Sequence, residues 1–429
     1  MITNITIKNY KSIIDVPLSL SRVNVFIGEN GAGKSNILEA IALVGAASAN
    51  KLDNEFLASR GVRITQAEYM RPAFPGTNST ESISISVVDS HGESKEFLLS
   101  NDNEPYSKWE CKVADNAIAS LGLNGLIETV KDFSTHAKEN GTNKDEAKKI
   151  VLEFVDTIVR NLSDSSPSKA ESSETESFFS STFKMESEND NNLKRKFIEL
   201  ILSKTHLCKE LENFIIYSPE HTALRTFQRE GQVEPLGING EGLLKLISVI
   251  AEDSDKSCLE EIKASLKLLG WFEDFKLIND IMSYSRMEVK DSYIDSEKRY
   301  FDQMSTNEGF LFLLFYFAAI TSKLTPKFFA IDNIDASLNP KLCEGLVKKM
   351  VFFAKKHDKQ IVLTTHNPAT LDGLNLDDDE QRLFVVSRGR SGETKVKRIK
   401  KPLSKEGSSP VRLSEMFIKG ILGGLPKGF

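Results

Sequence analysis

The chain has 429 residues, of which 40% are hydrophobic and 27% charged, and this predicts a globular protein of two or three domains at about 150 residues per domain. Its longest apolar run, residues 309–320, is far shorter than the roughly 20 residues that a membrane span needs. We find no signal-peptide or transit-peptide pattern, and the four cysteines are widely spaced with no C-x-x-C pair. These features predict a cytoplasmic protein with reduced thiols and no contact with a membrane, and they argue against a cysteine zinc site.

The net charge of −6 is unevenly distributed along the chain. Residues 163–192 carry a charge of −5 and contain ten serines, whereas residues 382–405 carry a charge of +8. The first segment is too polar to be buried, and we expect a disordered linker there, with a phosphorylation-tuned tail as the alternative. Because the second segment is strongly basic, the negative net charge of the chain does not exclude binding of nucleic acid or of an acidic protein.

The predicted elements begin with strands on both sides of a glycine-rich turn. Apolar patterns in residues 2–27 predict three strands, the last of them buried in a parallel sheet. The turn at residues 28–35 is followed by a helix at 36–47. Three further strand patterns, at residues 82–88, 96–99 and 109–113, predict a small antiparallel sheet inserted after this first α/β unit.

The middle of the chain changes to a helical period before the α/β pattern returns. Apolar stripes in residues 144–162 and 193–213 predict a helical hairpin of about 30 Å, at about 1.5 Å per residue. The glycine-containing segment at residues 237–242 is expected to open another helix. The returning elements are a helix at 309–323, a strand at 328–331, a helix at 340–356, a strand at 360–364 and a hairpin at 382–399.

The expected fold class is therefore α/β, with a mixed sheet, flanking helices and an antiparallel β subdomain, interrupted by a helical insertion. Four segments are predicted in chain order. They are the N-terminal half of the core with the antiparallel sheet (1–115), the helical insertion (116–215), a mixed return segment (216–300) and the C-terminal half with the basic hairpin (301–429).

Residues 28–35 read GENGAGKS, a phosphate-binding loop between a buried strand and a helix. Backbone N–H groups of such a loop surround nucleotide phosphates, and the helix N-terminus adds partial positive charge. Lys34 is expected to reach the β and γ phosphates, and the Ser35 hydroxyl to ligate Mg²⁺. The loop motif by itself does not distinguish among kinases, GTPases and motor ATPases. Its predicted nucleotide contacts include Gly31, Ala32, Gly33, Lys34 and Ser35.

Two later strands deliver residues that fit this site. The apolar strand at residues 328–331 is followed by Asp332, which is expected to hold Mg²⁺ together with Ser35, as a Walker B aspartate does. The strand at residues 360–364 leads to His366. The position of His366 in the chain after Asp332 favours a role as a sensor of the γ-phosphate. The alternative is a histidine whose hydrogen bonds are satisfied by neighbouring residues and that has no such role.

Together these motifs resemble the ABC-type ATPases of the SMC, RecF and OLD (overcoming lysogenization defect) group. The resemblance covers residues 1–50 and 300–390, and it is loose in the middle, where only YSPE (217–220) and the pair Leu224 and Arg225 match. It implies an ABC head in which two subunits enclose ATP head to tail, with Asn30 and Asn36 among the ATP contacts. The matching segments are ITIKNYKSI (5–13), Asn30, SNILEA (35–40), SLNP (337–340), which looks like the D-loop, and His366, which looks like the switch histidine.

The signature motif of this group is degenerate in this chain. The motif has a serine followed closely by glycine at a helix start, and it contacts the partner's γ-phosphate across the dimer. Residues 304–309 read MSTNEG, so Ser305, Asn307 and Gly309 are the corresponding predicted contacts. A simple helix start is the alternative interpretation.

The residue after the Walker B aspartate is normally a glutamate that activates water, and here it is Asn333. An amide can orient water but cannot accept its proton. Asp335 either replaces the missing base or points toward the D-loop segment. We therefore expect slow hydrolysis, or ATP used mainly as a conformational ligand, with Asp332, Asn333, Asp335 and His366 as the catalytic residues.

The C-terminal basic hairpin has two interpretations. It is either a solvated sheet edge or a contact for a phosphate backbone or an acidic partner. The neighbouring acidic run at residues 377–380 is interpreted as solvated rather than metal-binding. The basic residues are Arg388, Arg390, Lys395, Lys397, Arg398, Lys400 and Lys401.

Nuclease motifs are absent from the sequence. Only 63 residues follow His366, where an OLD nuclease would need a whole Toprim domain, and the six histidines form neither an H-E-x-x-H nor an HNH pattern. The resemblance implies ATP and Mg²⁺ as cofactors. The chain is also similar to the ATPase partners of the antiphage systems Septu, including retron-associated forms, and PARIS. In this interpretation the chain forms a homo-oligomer of head-to-tail dimers and works with a separately encoded nuclease of HNH or Toprim type. Nucleic acid and a phage protein are further candidate partners.

Two other classes of protein compete with this interpretation. A RecF- or SMC-like DNA-repair ATPase that binds DNA directly is the alternative, although a hairpin of about 30 Å argues against a long SMC coiled coil. A nucleotide-binding subunit of a membrane transporter is disfavoured by the degenerate signature and the large insertion.

Overall fold

The computed structural model describes residues 1–115, 206–226, 233–280, 283–295, 300–400 and 412–425. The predicted linker at 163–192, the first stripe of the predicted hairpin and most of the second lie outside these residues. In the first part of the chain the elements are β1 (Ile2–Tyr10), β2 (Ile13–Ser19), β3 (Val23–Gly28), α1 (Lys34–Ser48), α2 (Asn54–Ser59), β4 (Ile83–Asp89), β5 (Ser94–Ser100) and β6 (Glu110–Asp115).

The following elements run from residue 206 to residue 302. They are α3 (His206–Glu212), β7 (Ile216–Tyr217), α4 (His221–Leu224), α5 (Leu243–Glu252), α6 (Ser257–Leu266), β8 (Phe272–Asp280), β9 (Ser283–Asp291) and β10 (Tyr300–Asp302). The last group is α7 (Glu308–Thr321), β11 (Phe328–Ile331), α8 (Pro340–Lys356), β12 (Gln360–Thr365), β13 (Gln381–Arg388), β14 (Thr394–Ile399) and α9 (Leu413–Ile418). Short 3₁₀ helices lie at Ala67–Met70, Lys267–Leu269 and Pro368–Gly373.

A six-stranded mixed sheet, in the order β14-β13-β3-β12-β11-β7, forms the centre of the fold. All neighbouring strands from β13 to β7 are parallel, and β14 is antiparallel to β13. Strands β3, β11 and β12 are buried along their whole length, as their continuous apolar sequences predicted. Because these three strands are parallel, their carboxyl ends meet at one edge of the sheet, where α/β proteins bind ligands.

The second sheet has five antiparallel strands in the order β2-β1-β4-β5-β6. The sequence predicted β4, β5 and β6 as a small sheet of their own, but they extend the N-terminal hairpin instead. β1 has a free edge after pairing with β2, and β4 pairs with that edge, placing Ile7 opposite Ile85. The buried face of this sheet packs on α1 in one apolar core, which includes Ile5, Ile7, Ile37, Ile41, Ile85 and Phe97.

Helix α7 is apolar on every side and is buried from Phe310 to Thr321. Such a helix must lie inside a protein or a membrane, and here it packs against α4, α5, α6 and α8. It ends at Thr321, two residues before the predicted end, because the backbone at Ser322 is extended. Within the described part of the chain, no helix has the length and apolarity to cross a membrane.

All four cysteines are free thiols, as predicted. Cys208 and Cys343 are buried, whereas Cys111 and Cys258 are half-buried. Burial raises the pKa of Cys111 to about 12 and that of Cys343 to about 11. These two thiols are therefore protonated and unreactive at neutral pH.

Candidate functional site

The glycine-rich loop of residues 28–35 connects β3 to α1 at the carboxyl edge of the central sheet. Gly31 and Gly33 have φ angles of +74° and +107°, which favour glycine. A Cβ on Gly33 would lie 2.1 Å from the hydroxyl oxygen of Thr394, so the loop packs tightly against β14. Thr394 also donates to the carbonyl of Ala32 at 2.9 Å. The loop is thus a rigid cradle formed by glycines and braced by the C-terminal hairpin.

The ammonium of Lys34 folds over this loop. Its Nζ donates to the carbonyl oxygens of Gly28 at 2.9 Å and Glu29 at 3.0 Å, and it lies 3.5 Å from Nδ1 of His366. Burial lowers the pKa of Lys34 to about 8, although the nearby charges of Asp332 and Asp335 oppose this shift. Lys34 is therefore a buried cation at neutral pH, 5% exposed, at the centre of the loop.

Ser35 and Asp332, the predicted Mg²⁺ ligands, lie within hydrogen-bond distance of each other. The Ser35 hydroxyl donates to Oδ2 of Asp332 at 2.9 Å, and the Thr364 hydroxyl donates to Oδ1 of the same carboxylate. A hydroxyl and a carboxylate are oxygen donors of the type that Mg²⁺ takes, so the residues fit this ion. Mg²⁺ held by Ser35 and Asp332 would supply charge neutralisation for the β and γ phosphates.

The loop after β11 directs the carboxylate of Asp335 toward the end of β12. Oδ1 of Asp335 accepts hydrogen bonds from the Thr365 hydroxyl at 2.6 Å and from the N–H of His366 at 3.2 Å. The carboxylate therefore braces the end of β12 rather than pointing toward the D-loop segment. Asn333 has a φ angle of +54°, and its N–H donates to the Thr364 hydroxyl at 2.9 Å.

His366 lies in the same cluster as Lys34 and Asp332. Burial, followed by the positive charge of Lys34, lowers the pKa of His366 from its ordinary value, while the two aspartates act in the opposite direction. The imidazole is therefore neutral at pH 7. A neutral ring keeps one nitrogen as donor and one as acceptor, which suits a residue that responds to a phosphate oxygen.

The predicted signature residues lie at the N-terminus of α7. Asn307 caps this helix by accepting from the N–H of Phe310 at 2.9 Å, and Ser305 and Asn307 are exposed. Arg225 holds the segment by donating to the carbonyls of Gln303, Met304 and Thr306 at 2.5, 2.8 and 2.8 Å. The sequence marked Arg225 only as part of a loose match, since its acceptors lie almost eighty residues away.

The signature segment is also bonded to the D-loop segment. The Ser337 hydroxyl donates to Oε2 of Glu308 at 3.0 Å, and a Cβ on Gly309 would lie 3.6 Å from the carbonyl oxygen of Ser337. The nucleotide-binding edge and the N-terminus of α7 are therefore joined through the loop that begins at Asp332.

A cavity of about 400 Å³ adjoins the start of α1. Asn36 lies between the cavity and the loop, donating to the Ser12 hydroxyl at 2.7 Å and accepting from Arg63 at 3.0 Å. The sequence did not mark Arg63, because no motif surrounds it. The available signal was the occurrence of two arginines and two aromatic residues within the twelve residues from 63 to 74. The lining includes Lys11, Ser12, Asn36, Arg63, Tyr69 and Phe74.

Glu39 anchors two of the three cations that line this cavity, and its removal is expected to weaken the fold and the site together. It is 1% exposed and forms ion pairs of 2.5 Å with both Lys11 and Arg63. We expect Glu39→Gln to lower the free energy of unfolding by about 3 kcal/mol, the low end for a broken buried ion pair, because Arg63 is 65% exposed. Urea denaturation measures this loss, and calorimetric ATP titration measures the expected decrease in affinity. The exposed Glu55→Gln variant is the control, and equal stability of the two variants would contradict the assignment.

The fold and the site define a P-loop ATPase with the architecture of an SMC head. The chain aligns with a solved SMC head bound to the C-terminal winged-helix domain of ScpA with a TM-score of 0.51 and 14% identity, over 93% of this chain and 98% of that chain. The profile of the AAA ATPase domain family matches residues 1–370, so the chain belongs to this family. The predicted fold class, an ABC-type P-loop ATPase head, is confirmed.

The chain is also similar to two DNA replication and repair proteins RecF. The proteins from Bacillus cytotoxicus and Bacillus mycoides are each 42% identical to it over 55 residues, which is 13% of this chain. The matched segment spans 15% of the length of each RecF protein.

Proposed function

We propose that this chain is the ATP-binding, slowly hydrolysing subunit of a cytoplasmic antiphage defence complex, where it acts as an ATP-gated sensor and scaffold for a separately encoded nuclease. The observation that carries the proposal is the connection between the ATP site and the N-terminus of α7. Asp332 contacts Ser35 and begins the loop whose Ser337 contacts Glu308. Nucleotide binding can therefore reposition the segment that ABC-type heads present to a partner head.

In this proposal ATP is enclosed between two copies of the chain. The P-loop of one copy faces Ser305, Asn307 and Gly309 of the other, and such head-to-tail dimers build the homo-oligomer. The exposure of Ser305 and Asn307 supports this arrangement, as does the rigid attachment of their segment to Arg225. An isolated subunit would then hold an incomplete site, because the γ-phosphate lacks its contacts from the partner head.

Slow hydrolysis is the second part of the proposal. Asn333 has no carboxylate to accept a proton, and Oδ1 of Asp335 is already engaged by Thr365 and His366. ATP bound in such a site persists long enough to hold an assembled state. Turnover then resets the complex rather than driving repeated work.

The purified chain is expected not to cut plasmid DNA in the presence of ATP and Mg²⁺ or Mn²⁺. Two-metal cleavage needs clustered carboxylates that hold ions about 4 Å apart. In the acidic run at residues 377–380, Asp378 and Glu380 instead form ion pairs with Lys355 at 2.8 and 2.9 Å. We expect nicking only by the complex recovered with an affinity-tagged chain, and we expect ATP to control that activity.

The nicking experiment compares the chain alone, its Lys34→Ala variant and the recovered complex. Recovery of a nuclease with the wild-type chain, with cleavage that responds to ATP, supports the proposal. Robust nicking by the chain alone that is lost in Asp377→Asn or Asp379→Asn, but not in Lys34→Ala, contradicts it.

A RecF- or SMC-like DNA-repair ATPase that binds DNA directly is the second candidate. The similarity to RecF favours it, and so does the exposed basic edge of β14. On that strand Lys395, Lys397 and Arg398 are exposed, and Lys400 is exposed immediately after it. Arg388 is less available for such a contact, since it donates to the carbonyls of Gly31 and Gly392.

DNA binding with a steep salt dependence, lost in Lys395→Glu/Lys397→Glu, favours this second candidate. Recovery of no nuclease with the tagged chain favours it further.

A further inference from the structure

Three side chains that commonly bind metal ions converge where the turn between β4 and β5 meets the start of α3. The ligand atoms of Asp89, His91 and His206 all lie within 4.8 Å of one another. The rings of His91 and His206 have centroids 5.3 Å apart and are nearly perpendicular, at 78°. This group, the Asp89 cluster, lies between the β4–β5 turn and α3 and shares no residue with the ATP site.

The buried carboxylate of Asp89 is the unusual member of the cluster. Its Oδ1 accepts from the N–H groups of His91 at 2.8 Å and Glu93 at 2.9 Å, which fixes the orientation of the group. Its Oδ2 is buried and has no hydrogen-bond partner among the described residues. A buried carboxylate oxygen without a partner is costly, so the fold either tolerates that cost or supplies a ligand at this point.

The imidazole of His206 lies near Oδ2, and that of His91 belongs to the same group of ligand atoms. Nδ1 of His206 is 3.8 Å from Oδ2 of Asp89, and both histidines are exposed while Asp89 is buried. Side-chain rotation of the exposed histidines can therefore bring the ligand atoms to the separation of about 3.3 Å that a tetrahedral ion with bonds of about 2.0–2.1 Å requires. The site is open on its outer face, which leaves an entry path and a position for water.

Glu210 completes the arrangement from the next turn of α3. Its Oε1 lies 3.9 Å from Nε2 of His206, the ring nitrogen that is not the one nearest Asp89. Metal-binding histidines commonly donate their other ring N–H to a carboxylate, which fixes the tautomer and the ring orientation. His206 thus has one nitrogen near Asp89 and the other near the Glu210 carboxylate, which also accepts from the N-terminal ammonium of Met1 at 3.1 Å.

We propose that Asp89, His91 and His206 form a binding site for a divalent transition-metal ion, with Zn²⁺ as the ion that best suits two imidazoles and one carboxylate. The ion would supply the missing partner of the Asp89 oxygen and would connect α3 to the β4–β5 turn. Since α3 packs against α1, the helix that begins at Lys34, the ion would fix the position of an element that borders the ATPase core. The role is structural, and it needs no chemistry at the ion.

The test uses the full-length chain after chelator treatment, titrated with ZnCl₂ by calorimetry and with CoCl₂ by visible absorption. Excess Mg²⁺ is present to occupy oxygen-only sites. We expect one equivalent of Zn²⁺ to bind, and we expect His91→Ala and His206→Ala each to weaken binding by more than ~10-fold. The histidine-dependent Co²⁺ absorption bands are expected to disappear in both variants.

The matched control is His357→Gln, which removes a histidine that is 2.7 Å from Glu261 and is not a member of the cluster. It should bind Zn²⁺ as the wild-type chain does. Zn²⁺ is expected to raise the Tm of the wild-type chain and leave that of the His91→Ala/His206→Ala variant unchanged. Because both histidines are exposed, the double variant should fold. Equal Zn²⁺ affinity of the double variant and the wild-type chain would overturn the proposal.

Discussion

Lys34→Ala is expected to abolish productive ATP binding and every ATP-dependent assembly of this protein. The ammonium is the cation that the buried loop offers to the phosphates, and charge-assisted hydrogen bonds are worth roughly 1.5–3 kcal/mol each. Loss of two such contacts corresponds to a decrease in affinity of about 10²–10⁴-fold. Calorimetric titration with ATP and Mg²⁺ measures the affinity, and gel filtration with and without ATP measures assembly.

The Lys34→Ala variant should remain folded, because Lys34 is the first residue of α1 and alanine favours a helix. Circular dichroism checks this point. Lys8→Ala is the matched control, since Lys8 is an exposed lysine on β1. Unchanged ATP affinity in Lys34→Ala, with a normal spectrum, would disprove the assignment of the P-loop.

Asn333→Glu is expected to raise the rate of ATP turnover by about 10²–10⁴-fold, the usual contribution of a general base. The substitution places a carboxylate at the position after the Walker B aspartate, where related ATPases activate water. The effect requires that the partner head closes on the γ-phosphate. Steady-state phosphate release at saturating ATP measures it, at protein concentrations where the chain is assembled.

The backbone at Asn333 makes the control for this experiment important. Its φ angle of +54° lies in the left-handed region, which asparagine tolerates and glutamate adopts at a cost of roughly 1–2 kcal/mol. Asn333→Gln has the same length and the same backbone strain as Asn333→Glu but no carboxylate. We expect Asn333→Gln to keep the low turnover of the wild-type chain. Any increase in turnover of Asn333→Glu is then due to its carboxylate.

Asp335→Asn separates the two candidate bases. Asparagine keeps an oxygen that can accept from Thr365 and from the N–H of His366, so the end of β12 retains its brace. If Asp335→Asn eliminates turnover while Asn333→Glu leaves it unchanged, Asp335 is the base and the proposal of a weakened site is wrong.

The local elements and the core of the ATP site were predictable because they depend on short, contiguous patterns. A buried run of four apolar residues predicts β11, and Asp332 follows it immediately in the chain. The eight residues of the P-loop include their own glycines, lysine and serine. Parallel strands then bring Ser35, Asp332 and His366 to one edge without any further information. The sequence by itself therefore determined the ATPase head and the residues at its carboxyl edge.

Features that join distant segments depended on the tertiary structure. The pairing of β4 with β1, the attachment of Glu39 to Arg63, and the contact between Arg225 and the start of α7 each connect residues that no local pattern relates. The orientation of Asp335 and the meeting of Asp89 with His206 belong to the same class. Strand register, side-chain rotamer and the packing of one element on another decide such contacts. Hydrophobic periodicity reports only which face of an element is buried, so the sequence determined the elements and the fold determined their partners.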